Sequence, residues 1–348
     1  MIPARRPAVR MALLIIASLA FLAFLALALG IVAGANHLVV PKRRSLEERH
    51  EDVLSRPAEY GMSLEPFTVT TADGWTLRAF LAEPVPESQM GEAERTRRLL
   101  RRLDEAGHAL PVEPRGTVVF LHGRGGLKEN MLTIGQRFVA ANYRCIVYDA
   151  RAHGESEGRF CTYGQREKDD LSRVLDQVER ILDGRGETLG PVAGFGLSLG
   201  GSVLLQALEE EGRIEAAVVV AAFADLREIV RFTANKMARL SLPCWIPDTT
   251  TRVGGWRAGF DPAAVRPMAS AGRAGIPVFI AHGARDGVIP VGDSRQIANS
   301  LRHPRSIHRE VPEGYHFNVL AEGGDDLYQE MVEFVLAQRP APVALAGD

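Results

Sequence analysis

Hydrophobic positions fall into three regimes along this chain. From Met11 to Ala35 there are 25 residues without a charge, dominated by Leu, Ala, Ile and Phe and preceded by Arg5, Arg6 and Arg10. As a helix rising ~1.5 Å per residue, this run reaches about 37 Å, more than the ~30 Å of a bilayer's hydrocarbon core. A cleaved signal peptide is the competing reading, since Ala33-Gly34-Ala35 has the small residues of a cleavage site. Signal-peptide apolar cores run only about 7–15 residues, which favours an uncleaved single-pass anchor over residues 11–35 behind a short basic terminus, residues 1–10. Lys42, Arg43, Arg44 and Arg49 nearly balance the basic residues on the other flank. The positive-inside rule therefore nearly cancels, with a slight preference for placing the rest of the chain outside the cytoplasm.

The second regime is polar with short alternations. Residues 36–66 read as a charged linker in which Leu46 to Leu54 forms a short helix and Lys42-Arg43-Arg44 is a solvated juxtamembrane cluster. Phe67 to Thr71 and Trp75 to Leu81 alternate as strands do, and Asp73-Gly74 between them predicts a hairpin turn. Glu92 to Ala106 carries Leu99, Leu100 and Leu103 on one face of an otherwise charged helix, a solvent-facing insertion with enough apolar surface only to dock.

From Thr117 the third regime begins. Short apolar runs at Thr117 to Leu121, Cys145 to Tyr148, Pro191 to Phe195, Ala216 to Val220, Pro277 to Ala281 and Ile307 to Val311 alternate with helical patterns at Met131 to Ala141, Arg166 to Leu182, Leu199 to Glu211 and Asp326 to Gln338. Strands alternating with helices predict a parallel sheet covered on both faces. Residues 222–275 show no strand signal and read as a helical cap inserted above the carboxyl ends of the strands. The unit built from these elements spans 67–339, followed by a tail, 340–348.

Composition narrows the functional classes. With 348 residues, 46% hydrophobic and 24% charged, the chain forms a full core in one domain or at most two. A net charge of -2 argues against a broad nucleic-acid surface. Cys145, Cys161 and Cys244 have no metal-ligand spacing and their odd number gives no disulfide framework.

The chemistry centres on Gly196-x-Ser198-x-Gly200, placed between a short apolar strand and an amphipathic helix. In a nucleophile elbow the serine sits on a strained turn and the flanking glycines avoid backbone collisions. A serine hydroxyl needs an imidazole base and a carboxylate to orient it. Asp286 stands just past the strand ending near Ala281, and His316 just past the last strand. Asp225 is the rival acid. His303 and His308 precede or occupy the last strand and do not face the elbow, while His122 and His153 read as loop-packing residues. The order Ser198, Asp286, His316 places all three in loops at one edge of a parallel sheet.

With His122-Gly123, the run Asp149-x-Arg151-x-His153-Gly154-x-Ser156, the elbow and the two downstream loops, the chain resembles the alpha/beta-hydrolases from about Phe67 to Gln338. Within that superfamily it is similar to membrane-anchored serine aminopeptidase and dienelactone-hydrolase-like proteins; Ala152 stands where relatives of this type carry Gly. The resemblance implies a mostly parallel eight-stranded sheet with helices on both faces and a helical cap, preceded by one transmembrane helix. It implies an oxyanion hole from the backbone N–H groups of Leu199 and Arg124, with Gly125 as the fallback for the second donor. The expected activity is cleavage of an ester or other acyl bond through an acyl-serine intermediate. The alternatives are a serine peptidase acting on short peptides and a non-catalytic protein that kept the fold. A small-molecule acyl substrate and the membrane are the expected partners, with no nucleic acid, no metal and no organic cofactor. Apolar cap residues from Phe223 to Trp256 are expected to turn partly inward around a medium-length acyl chain, and a chain starting near Pro57 is expected to be soluble and active.

Overall fold

Runs of apolar residues with no polar alternation can be buried on both faces, and five of the strands here are of this kind. The computed structural model describes residues 6–86, 89, 94–108 and 113–338. In chain order it has α1 (Arg6–Val39), α2 (Glu48–Ser55), β1 (Met62–Thr70), β2 (Thr76–Pro84), α3 (Glu94–Glu105), β3 (Thr117–Leu121), α4 (Lys128–Ala140) and β4 (Arg144–Tyr148). Then follow α5 (Glu167–Asp183), β5 (Val192–Leu197), α6 (Leu199–Ala207), β6 (Ile214–Val220), α7 (Leu226–Ala238), α8 (Trp245–Ala258), α9 (Pro267–Ala271), β7 (Val278–Gly283), α10 (Val291–Ser300), β8 (Ile307–Val311) and α11 (Val319–Leu336).

The strands form one sheet in the order β1-β2-β4-β3-β5-β6-β7-β8, with β2 antiparallel to both of its neighbours and β3 to β8 parallel. On one face α4 and α11 pack Phe138, Met131 and Val332 against Phe120, Phe195 and Phe279; on the other, α5 and α6 pack Val174 and Leu204 against Val119 and Val219. Parallel pairing brings the carboxyl ends of β3, β5, β7 and β8 to the same edge, which is where ligands meet such sheets.

Several boundaries move from the sequence reading. β1 starts at Met62 rather than Phe67, because Pro66 lies on an edge strand, where its missing N–H costs no ladder bond. α10 was not anticipated: Ile297 and Ser294 are its only buried side chains, so it has little apolar periodicity to read. The insertion helix α3 docks through Leu99 and Leu103, with Gln136 of α4 donating to Thr96 at 2.6 Å, and lies against α4 and α11. The remainder of that insertion and the tail 340–348 lie partly or wholly outside the described residues.

The largest departure concerns residues 38–43, which are tied to the body through Val39, Pro41 and the Arg43 side chain although Lys42 to Arg44 stay exposed. α1 is long and apolar enough to cross a membrane, and its last turns are docked on the body. Ala35 and Val39 are fully buried, and Gly254 of α8 sits so close to Ala35, Leu38 and Val39 that a side chain there would press on them. The final carbonyls of a helix lack intrahelical partners. Here Arg124 donates to His37 O, Leu38 O and Val40 O, Tyr163 donates to Leu38 O at 2.8 Å, and the Cys161 N–H donates to Val39 O at 2.9 Å. Arg43, expected in solvent, donates to Gly154 O at 2.6 Å and Gly158 O at 3.1 Å.

This docking reverses the expectation for shortened chains. A chain beginning at residue 36 keeps the acceptors of Arg124, whereas one beginning at residue 57 loses them together with Arg43. We expect the second to turn over a short soluble ester at least tenfold more slowly than the first at equal folded concentration. Equal rates would make the docked segment a passive tether.

Candidate active site

β5 ends on Leu197 and α6 begins at Leu199, leaving Ser198 alone at the turn with φ 54° and ψ -116°. An L-residue held there is strained, and such strain persists only where the surroundings impose it. The surroundings are close backbone. A Cβ on Gly196 would lie 2.5 Å from Gly201 Cα, and one on Gly200 would collide with the carbonyls of Leu121 and His122. The Ser198 N–H donates to Val220 O at 2.7 Å, fixing the turn to β6.

Ser198 Oγ lies 3.0 Å from His316 Nε2, and His316 Nδ1 lies 2.7 Å from Asp286 Oδ2. Both loops reach this point because β7 and β8 end beside β5 and β6. The other oxygen of Asp286 accepts the N–H groups of Val288 at 2.7 Å and Ile289 at 2.9 Å. Sequence reading missed His282, whose Nε2 is 3.2 Å from Asp286 Oδ2 and 2.9 Å from Ile289 O. Its only signal was a histidine in an otherwise apolar strand four residues before the acid. Burial pushes the Asp286 carboxyl upward, yet hydrogen bonds from His282, His316 and the backbone outweigh it and hold the group well below the usual carboxylate range.

The rival acid is engaged elsewhere. Asp225 caps α7, accepting from Arg227 N at 2.9 Å, and pairs with Arg266 at 3.4 Å. His308 meets Ser294 at 3.1 Å, and His303 takes the N–H of Arg305.

The loop after β3 borders the serine on its other side. A Cβ on Gly123 would lie 3.3 Å from Ser198 Cβ, a closeness that sequence reading did not assign to this glycine. Leu199 is the first residue of α6, so its N–H has no intrahelical acceptor. Arg124 follows Gly123 and spends its guanidinium on the carbonyls of α1; neither solvent nor an anionic group holds it.

Behind this loop the buried histidines bind loops together. His122 Nδ1 lies 2.8 Å from Gly123 O and its Nε2 accepts the Ala150 N–H at 3.0 Å, so it is a neutral Nδ1–H tautomer. His153 packs edge-on against it, with ring centroids 5.0 Å apart, and gives Nδ1–H to Arg151 O at 2.9 Å. Lys128, also buried, reaches Asp149 at 3.0 Å, Glu129 at 2.8 Å and Glu155 at 2.6 Å. Burial opposes its charge, but the three carboxylates raise its pKa above that of a free lysine.

The cap departs from expectation. Phe223 is buried, but Phe232, Met237, Leu240, Trp245 and Trp256 face outward. The sequence shows no sign that α8 runs beside α1, because that pairing joins residues more than 200 apart.

By fold, the molecule with this sheet order and this serine turn is an alpha/beta-hydrolase. Residues 112–250 match the family model described as serine aminopeptidase, S33. Among curated relatives, YqkD of Bacillus subtilis is 25% identical over 205 residues, covering 58% of this chain and 65% of that protein, so the match spans just under two thirds of its length. The esterase Pf2001 of Pyrococcus furiosus superposes with TM-score 0.62 at 18% identity, covering 86% of this chain and 98% of that one. Acylaminoacyl peptidase of Pyrococcus horikoshii gives TM-score 0.58 at 14% identity, covering 81% of this chain and 42% of its own.

The site and its supports yield two expectations. Asp286→Asn lowers kcat at least a hundredfold and Asp225→Asn less than about tenfold, because only the first changes the partner of His316; steady-state rates on one ester would show the reverse order if the acid were Asp225. The second concerns acid. Desolvation, then the neighbouring His122, lowers the His153 pKa to about 3, and desolvation lowers that of His122 as well. Unfolding therefore takes up protons below about pH 6.5, so their stabilising contribution is whole above that pH and falls as pH drops towards the folded values, at up to ~1.4 kcal/mol per pH unit for each histidine. The Tm of detergent-solubilised protein should fall between pH 7.5 and 5 and fall less steeply in His153→Phe; a flat Tm would contradict the buried neutral pair.

Proposed function

We propose that the protein is a membrane-anchored serine hydrolase that cleaves a carboxylic ester or related acyl bond through an acyl-serine intermediate. The observation that carries this reading is the hydrogen-bonded line from Ser198 Oγ through His316 to Asp286, with the serine alone on a strained strand-to-helix turn. In this reading His316 takes the hydroxyl proton as Ser198 attacks the substrate carbonyl, then returns it to the leaving group. Asp286 keeps the imidazole in the tautomer with Nδ1–H and stabilises its cation. Its two backbone hydrogen bonds and His282 keep the carboxylate charged and oriented while His316 moves protons.

The developing oxyanion is assigned to the N–H groups of Leu199 and Arg124. Fixed donors of this kind act where charge builds in the transition state, and losing one costs about 10²–10³ in rate. A water molecule, deprotonated by His316, then attacks the acyl carbonyl and releases the acid, regenerating Ser198. The solved neighbours, an esterase and an acylaminoacyl peptidase, support acyl chemistry in general and leave the leaving group to a substrate panel.

Ser198→Ala tests the proposal. We expect purified Ser198→Ala to lose fluorophosphonate labelling and to drop by several orders of magnitude on a panel of acyl esters, thioesters and aminoacyl amides, with an unchanged melting curve. Wild-type turnover in that variant, or no turnover and no labelling in the wild type, would reject the serine-hydrolase reading.

A further inference from the structure

Four large apolar side chains of the cap stand in the open: Met237 is 72% exposed, Leu240 57%, Trp245 54% and Trp256 85%. Three of them belong to the turn between α7 and α8, where the eight residues Leu240 to Pro247 carry no charge. A contiguous exposed apolar tip of this kind marks an interaction surface.

What covers it follows from the packing of α8 on α1. Gly34 lies against Thr250, and Gly254 against Ala35, Leu38 and Val39, so the two helices run side by side in the same direction. The half-buried stripe continues back along α1 through Ile31, Ala28 and Leu27. At this register Trp245, the first residue of α8, is level with about Leu29. That is some five residues, roughly 7 Å, inside the point where α1 meets Gly34. The strongly apolar run of α1 ends at Ala35, before Asn36 and His37, and a bilayer core accommodates about 20 of its residues. The α7–α8 tip is therefore held at the depth where α1 leaves the hydrocarbon, beside the exposed Leu25, Leu29 and Val32.

The chemistry of the tip suits that depth. Tryptophan favours the membrane interface, where its ring is apolar and its N–H wet. Arg239, exposed at the end of α7, can extend its head towards lipid phosphates. Asp248, the charge nearest the tip on α8, is neutralised by Arg231 of α7 in a two-pronged pair at 2.7 and 2.8 Å. The same end of α7 borders the site, because Lys236, one residue before Met237, donates to Gly287 O in the loop that holds Asp286.

We propose that the turn from Met237 to Trp245 is seated in the headgroup and upper acyl layer of the leaflet in which α1 ends, and that it opens a path for lipid-dissolved acyl substrates to Ser198. This rests on the reading of α1 as a membrane anchor. It makes the cap a second membrane contact, held in register with the first by the α1–α8 pairing.

The chain carries its own probe position. Cys244 is exposed at the tip, whereas Cys145 and Cys161 are buried. An environment-sensitive fluorophore on Cys244 of the full chain, reconstituted in phosphatidylcholine–phosphatidylglycerol vesicles, should be quenched by lipids nitroxide-labelled near the headgroup. Its quenching by aqueous iodide should be at least fivefold weaker than at Arg302→Cys in a Cys244→Ser background, a position at the opposite edge of the sheet. Phe21→Cys in the same background reports the anchor. If its label is not quenched by deep nitroxide lipids, the anchor and the docking both fall. Should it be lipid-buried while Cys244 is as open to iodide as position 302, only the docking falls. Shielding of Cys244 without lipid quenching, rising with protein density in the vesicle, would assign the tip to a second copy and overturn the proposal. In activity, Leu240→Asp with Trp245→Asp should slow a long-chain acyl lipid in vesicles at least tenfold and leave a short soluble ester unchanged. Loss on both esters would point to a damaged fold. An absence of Ser198-dependent turnover on either ester would count against the hydrolase reading, leaving the label result to stand by itself.

Discussion

Everything at this site depends on a contact too close to admit a side chain: the start of α6 against the end of β3. Because Gly200 lies on the carbonyls of Leu121 and His122, the serine turn and the loop carrying Gly123 and Arg124 are one packed unit. Gly196 does the same on the other side, against Gly201. The strained backbone of Ser198 is over-determined by these approaches and by its hydrogen bond to Val220, which is how a disfavoured conformation is kept in a folded protein. His316 and Asp286 add no strain of their own. They arrive on loops whose position is set by β7 and β8 continuing the same parallel sheet.

A second set of buried polar contacts supports that unit from behind. His122, His153, Lys128 and Asp149 connect the loops after β3 and β4, and each has neighbours that compensate at least part of its burial. Asp149 accepts the N–H groups of Lys128 at 2.8 Å and Glu155 at 3.0 Å as well as the ammonium of Lys128. Removing one partner of such a cluster leaves a buried charge uncompensated, so the run from Asp149 to Ser156 acts as scaffold for the site without touching the reacting atoms.

Much of this was legible because it was local. Gly196 and Gly200 state the need for close backbone approach within five residues, and the order of Ser198, Asp286 and His316 reflects a sheet whose strands could be read one by one. The sequence hid what depends on distant pairing. Nothing near Arg124 shows that its guanidinium ends on the carbonyls of α1, 84 to 87 residues earlier. His282 looked like part of a strand until β7 placed it against the acid. Some of the cap's apolar residues were read as inward-facing because they stand among Arg and Asp; the pairing of α8 with α1, far apart in the chain, gives the outward-facing ones a different neighbour.

That pairing also imposes an order on biogenesis. The carboxyl end of α1 is made first and docked last, since Arg124, Tyr163 and Gly254 emerge from the ribosome long after Val39. Until Arg124, Cys161 and Tyr163 have been made, the terminal carbonyls of α1 have no protein partners. Ala35 stays uncovered for longer, until α8 brings Gly254 over it. A pause in translation before residue 254 would therefore lengthen the time for which the small-residue sequence Ala33-Gly34-Ala35 stands open.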